Sequence, residues 1–127
     1  MAGFSTYYAQ RLINNDFVNG ATKYLALFIA DPTDDNVTAN EVSGAWYSRM
    51  AISAWAAPVG SGTVTSNSNQ ITGSAVTGNA VTVTHWGIYD AATGGNLWGS
   101  GAFDEAKVLN VSDVFRAEAG AVELDFI

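Results

Sequence analysis

From Phe4 to Phe17 the apolar side chains recur at intervals of three and four: Phe4, Tyr8 and Leu12, with Tyr7, Ile13 and Phe17 beside them. This is the period of a helix, so the spacing predicts a short amphipathic helix over 4–18, starting near Ser5 and stopping at Asn19-Gly20. From Lys23 onward the period falls to two. KYLALFIA (23–30) reads as a buried strand, and DPTDDNVTAN after it carries the Pro, Asp and Asn chemistry of a turn. WYSRMAISAW (46–55) alternates Trp46, Ser48, Met50, Ile52 and Ala54, which predicts a second strand. The Gly, Ser, Thr and Asn of the next stretch leave room for short strands around Val64 and Ile71. VTVTHWGIYD (81–90) and NLWGSGAF (96–103) then pair across AATGG as a hairpin. The end of the chain gives strands near 107–110 and 113–117. In a last strand Val122, Leu124 and Phe126 face one way, and Glu123 and Asp125 the other. Short strands separated by turn signals at intervals of about 8–12 residues predict an all-β fold. The expectation is one antiparallel, jelly-roll-like β-sandwich domain over 1–127 with an N-terminal helix.

Composition narrows what such a fold can do. The 127 residues contain no cysteine, which removes disulfides and thiolate metal sites. The sequence MAGFSTYYAQRLINNDF has no basic segment ahead of a long apolar run, so no secretory leader is expected, and no stretch is apolar enough to predict a membrane span. Twelve acidic residues against five basic ones give a net charge of −7, and Arg11, Lys23, Arg49, Lys107 and Arg116 are scattered singly. A surface of that sign repels phosphate, so nucleic acid is not an expected partner. Only 13% of the residues are charged and 48% are hydrophobic, against about 25% charged in ordinary soluble domains. So little charge predicts surface hidden in an assembly, and hence a homo-oligomer or a contact with other proteins.

Candidate chemistry is thin. His85, the single histidine, lies inside a predicted strand with no nucleophile motif near it, so it reads as a packing residue. Asp104-Glu105 and the trio Asp31, Asp34 and Asp35 offer paired carboxylates, but glycosidases hold theirs in a cleft on a larger scaffold. The DPTDDN loop has oxygen ligands for calcium without the EF-hand spacing, and it reads as a turn. GTVTS and ATGGN lack the following helix and Lys-Ser/Thr of a phosphate cradle, and the sequons at Asn36 and Asn110 have no secretory context. No catalytic, metal or cofactor residue is therefore expected. Trp46, Trp55, Trp86 and Trp98 remain as candidates for an oligomer interface or a glycan-stacking platform.

Taken in order, LALFIADPTDD, EVSGAWYSRMAIS, VTSNSNQI, VTHWGIYDAATGGNLWGSGAF and KVLNVSDVFRAEAGAVELDF make the chain resemble a family of small tailed-bacteriophage proteins commonly labelled tail fibre proteins. The likeness runs from about Tyr24 to Phe126, with Tyr47 and Arg49 forming the Y-x-R element that follows EVSG. Ala45-Trp46 and Trp98-Gly99 depart from the family pattern at packing surfaces. The resemblance implies a non-enzymatic virion protein, made in the bacterial host cytoplasm and working on the particle exterior with major capsid or tail proteins. Compactness and low charge lean towards capsid decoration, a cement role, and the family label towards the tail. A lectin-like module that recognises host surface glycans is the alternative.

Overall fold

A computed structural model describes residues 3–126. It is mostly antiparallel β-sheet with a single N-terminal helix, as the periodicity predicts. The chain forms two compact units, each assembled from separated segments.

Among the described residues, the first unit takes in 3–22, 52–71 and 117–126. Helix α1 (Thr6–Leu12) begins where the Ser5 hydroxyl accepts the Tyr8 backbone N–H, a side-chain N-cap. It continues as a wider π-helical turn over Ile13–Val18, which the periodicity did not foresee. Ala9, Ile13 and Phe17 recur every four residues and are the buried face. Phe17 meets Trp55 and Phe126 edge to face, at 5.0 and 5.5 Å between ring centroids. Strands β3 (Val64–Ser66) and β8 (Glu123–Asp125) pair antiparallel, with Thr65 opposite Leu124. The Gln10 amide donates to the carbonyls of Gly60 and Gly62 and holds their loop against the helix.

Asn67, only 1% exposed, is the polar centre of this unit. Its amide nitrogen donates to the carbonyls of Asn69 and Glu118, and its amide oxygen accepts the Val122 N–H. Its backbone N–H and C=O pair with Val122 and Gly120. A serine and asparagine-rich stretch that reads as turn sequence thus contains the residue that closes the unit's loops.

The second unit holds residues 23–51 and 72–116. Its four-stranded sheet runs β2-β1-β5-β6, from β2 (Met50–Ile52), β1 (Lys23–Phe28), β5 (Val81–Tyr89) and β6 (Leu97–Leu109). A smaller sheet pairs β4 (Ile71–Ala75) with β7 (Val114–Ala117). Strand β1 is antiparallel to β5, with Leu25 opposite Ile88 and Leu27 opposite Trp86 on one face, and Ala26 opposite Gly87 on the other. Leu25, Ala26, Leu27 and Phe28 are all fully buried, so β1 is covered on both faces and reads as a continuous apolar run rather than an alternating one.

Several boundaries differ from those expected. Of the stretch 46–55 only Met50–Ile52 is a strand, because Trp46 lies in a turn and Trp55 makes a lone bridge to Asn67. The segments 96–103 and 107–110 are one strand, β6, whose register against β5 breaks between Val83 and His85. Within β6, Gly101 has a packing role. A Cβ at Gly101 would stand 2.7 Å from the Trp86 ring, so the missing side chain is the seat on which that indole lies.

Asn67→Ala leaves one buried N–H and two carbonyls without their partner, and is expected to cost about 2–3 kcal/mol by the penalty for unsatisfied buried groups. Asn67→Asp restores the acceptor but sets a carboxylate against two carbonyls, so it is expected to destabilise at least as much. Urea unfolding of the two variants checks both, and midpoints equal to wild type would contradict the assignment.

Candidate functional site

The richest polar cluster lies beside the edge of β1. Strand β2 is too short to cover that edge, so residues 40–42 do: the Ile29 N–H donates to the Asn40 carbonyl and the Val42 N–H to the Leu27 carbonyl, at 2.9 Å each. The Leu27 N–H finds the Tyr47 hydroxyl at 3.1 Å, and that hydroxyl donates to Glu41 Oε2 at 2.6 Å. Glu41 then receives Arg49 in a fork, Nε to Oε2 at 2.9 Å and Nη2 to Oε1 at 3.0 Å. Arg49 Nη1 reaches across to the β5–β6 loop and donates to the carbonyls of Ala91 and Gly94 at 3.0 and 2.7 Å. The guanidinium carbon sits 3.6 Å from the centre of the Tyr89 ring, and the Tyr89 hydroxyl donates to the Asn36 side chain.

This is an inward-facing ion pair, with side chains 6% exposed for Arg49 and 15% for Glu41. Burial works against the Arg49 charge, but the hydrogen bonds and charge of Glu41 outweigh it and hold the guanidinium above its ordinary value. Burial, and after it the hydrogen bond to Glu41, push the Tyr47 phenol far upward. Burial also raises Tyr89, against the pull of Arg49. These groups are held in one protonation state and the cluster works as a fastener. The Ala91–Gly95 turn needs left-handed backbone at Gly94 and Gly95, with φ of 62° and 73°. Their carbonyl-bearing loop is then shaped to meet Arg49.

The four tryptophans separate. Trp55 is buried in the first unit against Phe17. Trp86 is half-buried in β5 and lies on Gly101. Trp46 is half-buried in its turn, edge to face with Tyr47 at 5.8 Å. Trp98 is the exception at 43% exposure. It is the extra residue of a bulge, since Ile88 pairs with Gly99 and Tyr89 with Leu97. Its Nε1 donates to Asp90 Oδ2 at 3.0 Å, and the Lys23 ammonium lies 4.5 Å from its ring centre. Lys23 itself is only 2% exposed. Neither that burial nor the inward turn of Arg49 was read from the sequence, where both counted as scattered surface charges. The low charge content was the available signal, because a chain with few charges that lists an E-x7-R pair in its densest motif is a candidate for an internal ion pair.

Of the remaining candidates, His85, Asp31 and Asp34 line one open depression. His85 is half-buried, its Nδ1 2.8 Å from the Thr84 hydroxyl. It faces an open depression of about 390 Å³ shared with Asp31, Thr33, Asp34, Ser100, Gly101 and Ala102. Asp31 Oδ1 accepts the Thr33 N–H and the Thr33 hydroxyl accepts the Asp35 N–H, which is turn geometry. Asp104 and Glu105 are exposed on β6. Among the described residues no group of three or more His, Cys, Asp or Glu side chains is placed to hold a metal ion. No helix among them is long and apolar enough to cross a membrane.

Fold and cluster together define a small, mostly antiparallel β protein whose densest polar cluster fastens a hairpin. The chain belongs to the family described as Podophage GP4 fiber I protein gp80, which it matches over residues 3–125. It is a member of a bacteriophage tail fibre family, and the match takes in the helix, which lies ahead of the stretch where the motifs alone showed the likeness. No curated protein matches it.

Arg49→Ala removes the forked partner of the partly buried Glu41 carboxylate, which keeps only its bond from Tyr47, and is expected to lower stability by about 1.5–3 kcal/mol, the scale of a hydrogen bond to a charged group. Arg49→Lys keeps the charge but cannot span a carboxylate and two carbonyls, so denaturant midpoints are expected to show only partial recovery. Full recovery would reduce the fork to simple charge.

Asp90 supplies a pH dependence. The backbone N–H of Asn96, then its side-chain amide, then the Trp98 indole hold its carboxyl down at about 2, from an ordinary 3.8. A depressed acid stabilises the fold when ionised, so its contribution is complete above pH 3.8 and is lost as the pH falls through about 2. Amide exchange at Asn96 is expected to accelerate across that window beyond its intrinsic pH dependence, and Asp90→Asn is expected to remove that excess.

Proposed function

We propose that this chain is a non-enzymatic component of a podophage tail fibre, held in the virion by contacts with other tail proteins and with copies of itself. The observation that carries this reading is the fibre-family match across nearly the whole chain. The inclination towards capsid decoration rested on compactness and low charge, which suit a densely packed tail component equally well. Of five basic residues, Lys23 and Arg49 are turned inward, so still fewer charges reach the surface, in keeping with an assembled protein. Exposed apolar side chains supply contact surface. Phe4, Tyr7 and Tyr8 are exposed on and beside α1, and Val108, Val111 and Val114 around the β6–β7 turn.

Purified virions labelled with a gold-conjugated antibody against the chain test the placement. The label is expected at the tail, and the chain is expected to leave with tail proteins when particles are gently dissociated. Label distributed over the capsid, at copy numbers approaching those of the shell protein, would overturn the tail assignment and restore the decoration role.

A further inference from the structure

Helix α1 has two apolar faces. Ala9, Ile13 and Phe17 are buried in the first unit, and on the opposite side Tyr7, Tyr8 and Arg11 stand in solvent. Phe4, just ahead of the N-cap, packs edge to face on Tyr8 at 5.2 Å and extends that stripe. The spacing of i, i+3, i+4 and i+7 is that of a helix that lies in a groove on another protein. The exposures are large, 51% for Phe4, 72% for Tyr7 and 45% for Tyr8. The helix is also held in place, because Gln10 ties it to the carbonyls of Gly60 and Gly62, so little backbone ordering is left for a partner to impose.

We propose that the stripe of Phe4, Tyr7, Tyr8 and Arg11 docks in an apolar groove of another tail protein, rimmed by aspartate and glutamate. This rests on the tail-fibre reading above and adds the docking face and the partner's chemistry. All twelve acidic residues of the chain come after Asn15, so the stripe is a patch whose single charge is positive in a chain of net −7. An acidic surface is repelled by the chain as a whole and admitted here. The polar groups of the stripe, two phenols and a guanidinium, offer hydrogen-bond donors that carboxylates accept. Tyrosine and arginine are also the side chains that most often anchor an interface. A second copy of the chain is a poorer occupant. The three rings expose roughly 350 Å² between them, taking about 200 Å² for an aromatic side chain, against about 800 Å² per partner in a stable interface. A helix laid stripe to stripe on its twin covers no more than that, whereas a groove also covers the flanks.

Complementation tests this: cells infected with a phage that cannot make the chain receive it from a plasmid, and immunoblots of the purified virions measure how much is incorporated. Wild type is expected in the tail fraction. Phe4→Ala combined with Tyr7→Ala, and separately Arg11→Glu, are expected to lower incorporation about tenfold or more, the scale of losing an interface anchor. Arg11→Lys, and Val111→Ser in the other exposed apolar group, are expected to incorporate as wild type does. Arg11 is exposed, so its reversal keeps the test valid if the double variant does not fold. Tyr7→benzoylphenylalanine, irradiated in whole virions, is expected to crosslink to another tail protein at a segment that carries Asp or Glu. Undiminished incorporation of both stripe variants overturns the proposal and leaves the tail reading standing. A crosslink to a second copy, or to a segment without acidic residues, overturns it in the same way. Wild type absent from the tail fraction overturns the tail reading itself, and the proposal with it.

Discussion

Strand β1 is covered on both faces, and a strand so placed has to find partners for every backbone group along both of its edges. Strand β5 meets one edge completely, and on the other the three residues of β2 fall short. The shortfall at Leu27 and Ile29 is met by residues that belong to no strand: the backbone of residues 40 and 42, and the Tyr47 hydroxyl. Each substitute needs to be held in turn. Glu41 accepts from Tyr47, Arg49 holds Glu41, and the hairpin loop accepts the rest of the guanidinium. A chain of dependencies that begins with one strand edge that β2 does not fully cover thus ends at the tip of a hairpin 45 residues from Arg49.

That chain of dependencies accounts for the sequence motifs that mark the family likeness. EVSG supplies the carboxylate, Y-x-R the phenol and the guanidinium, and YDAATGG the aromatic surface and the accepting carbonyls. Burying an ion pair gives little net stability, since desolvation cancels most of the attraction. Its value lies in geometry. A forked guanidinium accepts few arrangements of its partners, so the loop has one conformation in which all of them are satisfied.

The strand periodicity and turn residues made the β architecture legible, and the three-and-four spacing up to Phe17 located the helix. Boundaries failed where side-chain pattern and backbone pairing part company. Alternation continues through Trp46 and Ser48 although no strand lies beside them, and the Gly and Ser between 99 and 101 interrupt the pattern of a strand that the ladder to β5 keeps continuous. The tryptophans were legible as a set but not as individuals. What separates Trp98 from Trp86 is a one-residue bulge and the absent side chain of Gly101, and neither leaves a trace in hydrophobic spacing. Arg49 and Lys23 were misplaced because a charge in a sequence is read as exposed until a partner distant along the chain is seen beside it.

The way Arg49 is attached bears on how the hairpin yields when something pulls on its tip. Two antiparallel strands peeled from one end part bond by bond, each rupture loading the next, so the force needed stays near that of a single hydrogen bond. At the β5–β6 tip the load meets two N–H contacts to the loop carbonyls, and these hang from a guanidinium anchored through two more on Glu41. Contacts that share a load have to fail together. The turn at this tip is therefore tied down by shared contacts, and a pull on it has to break several of them at once before the loop lifts away from Glu41 and Tyr47.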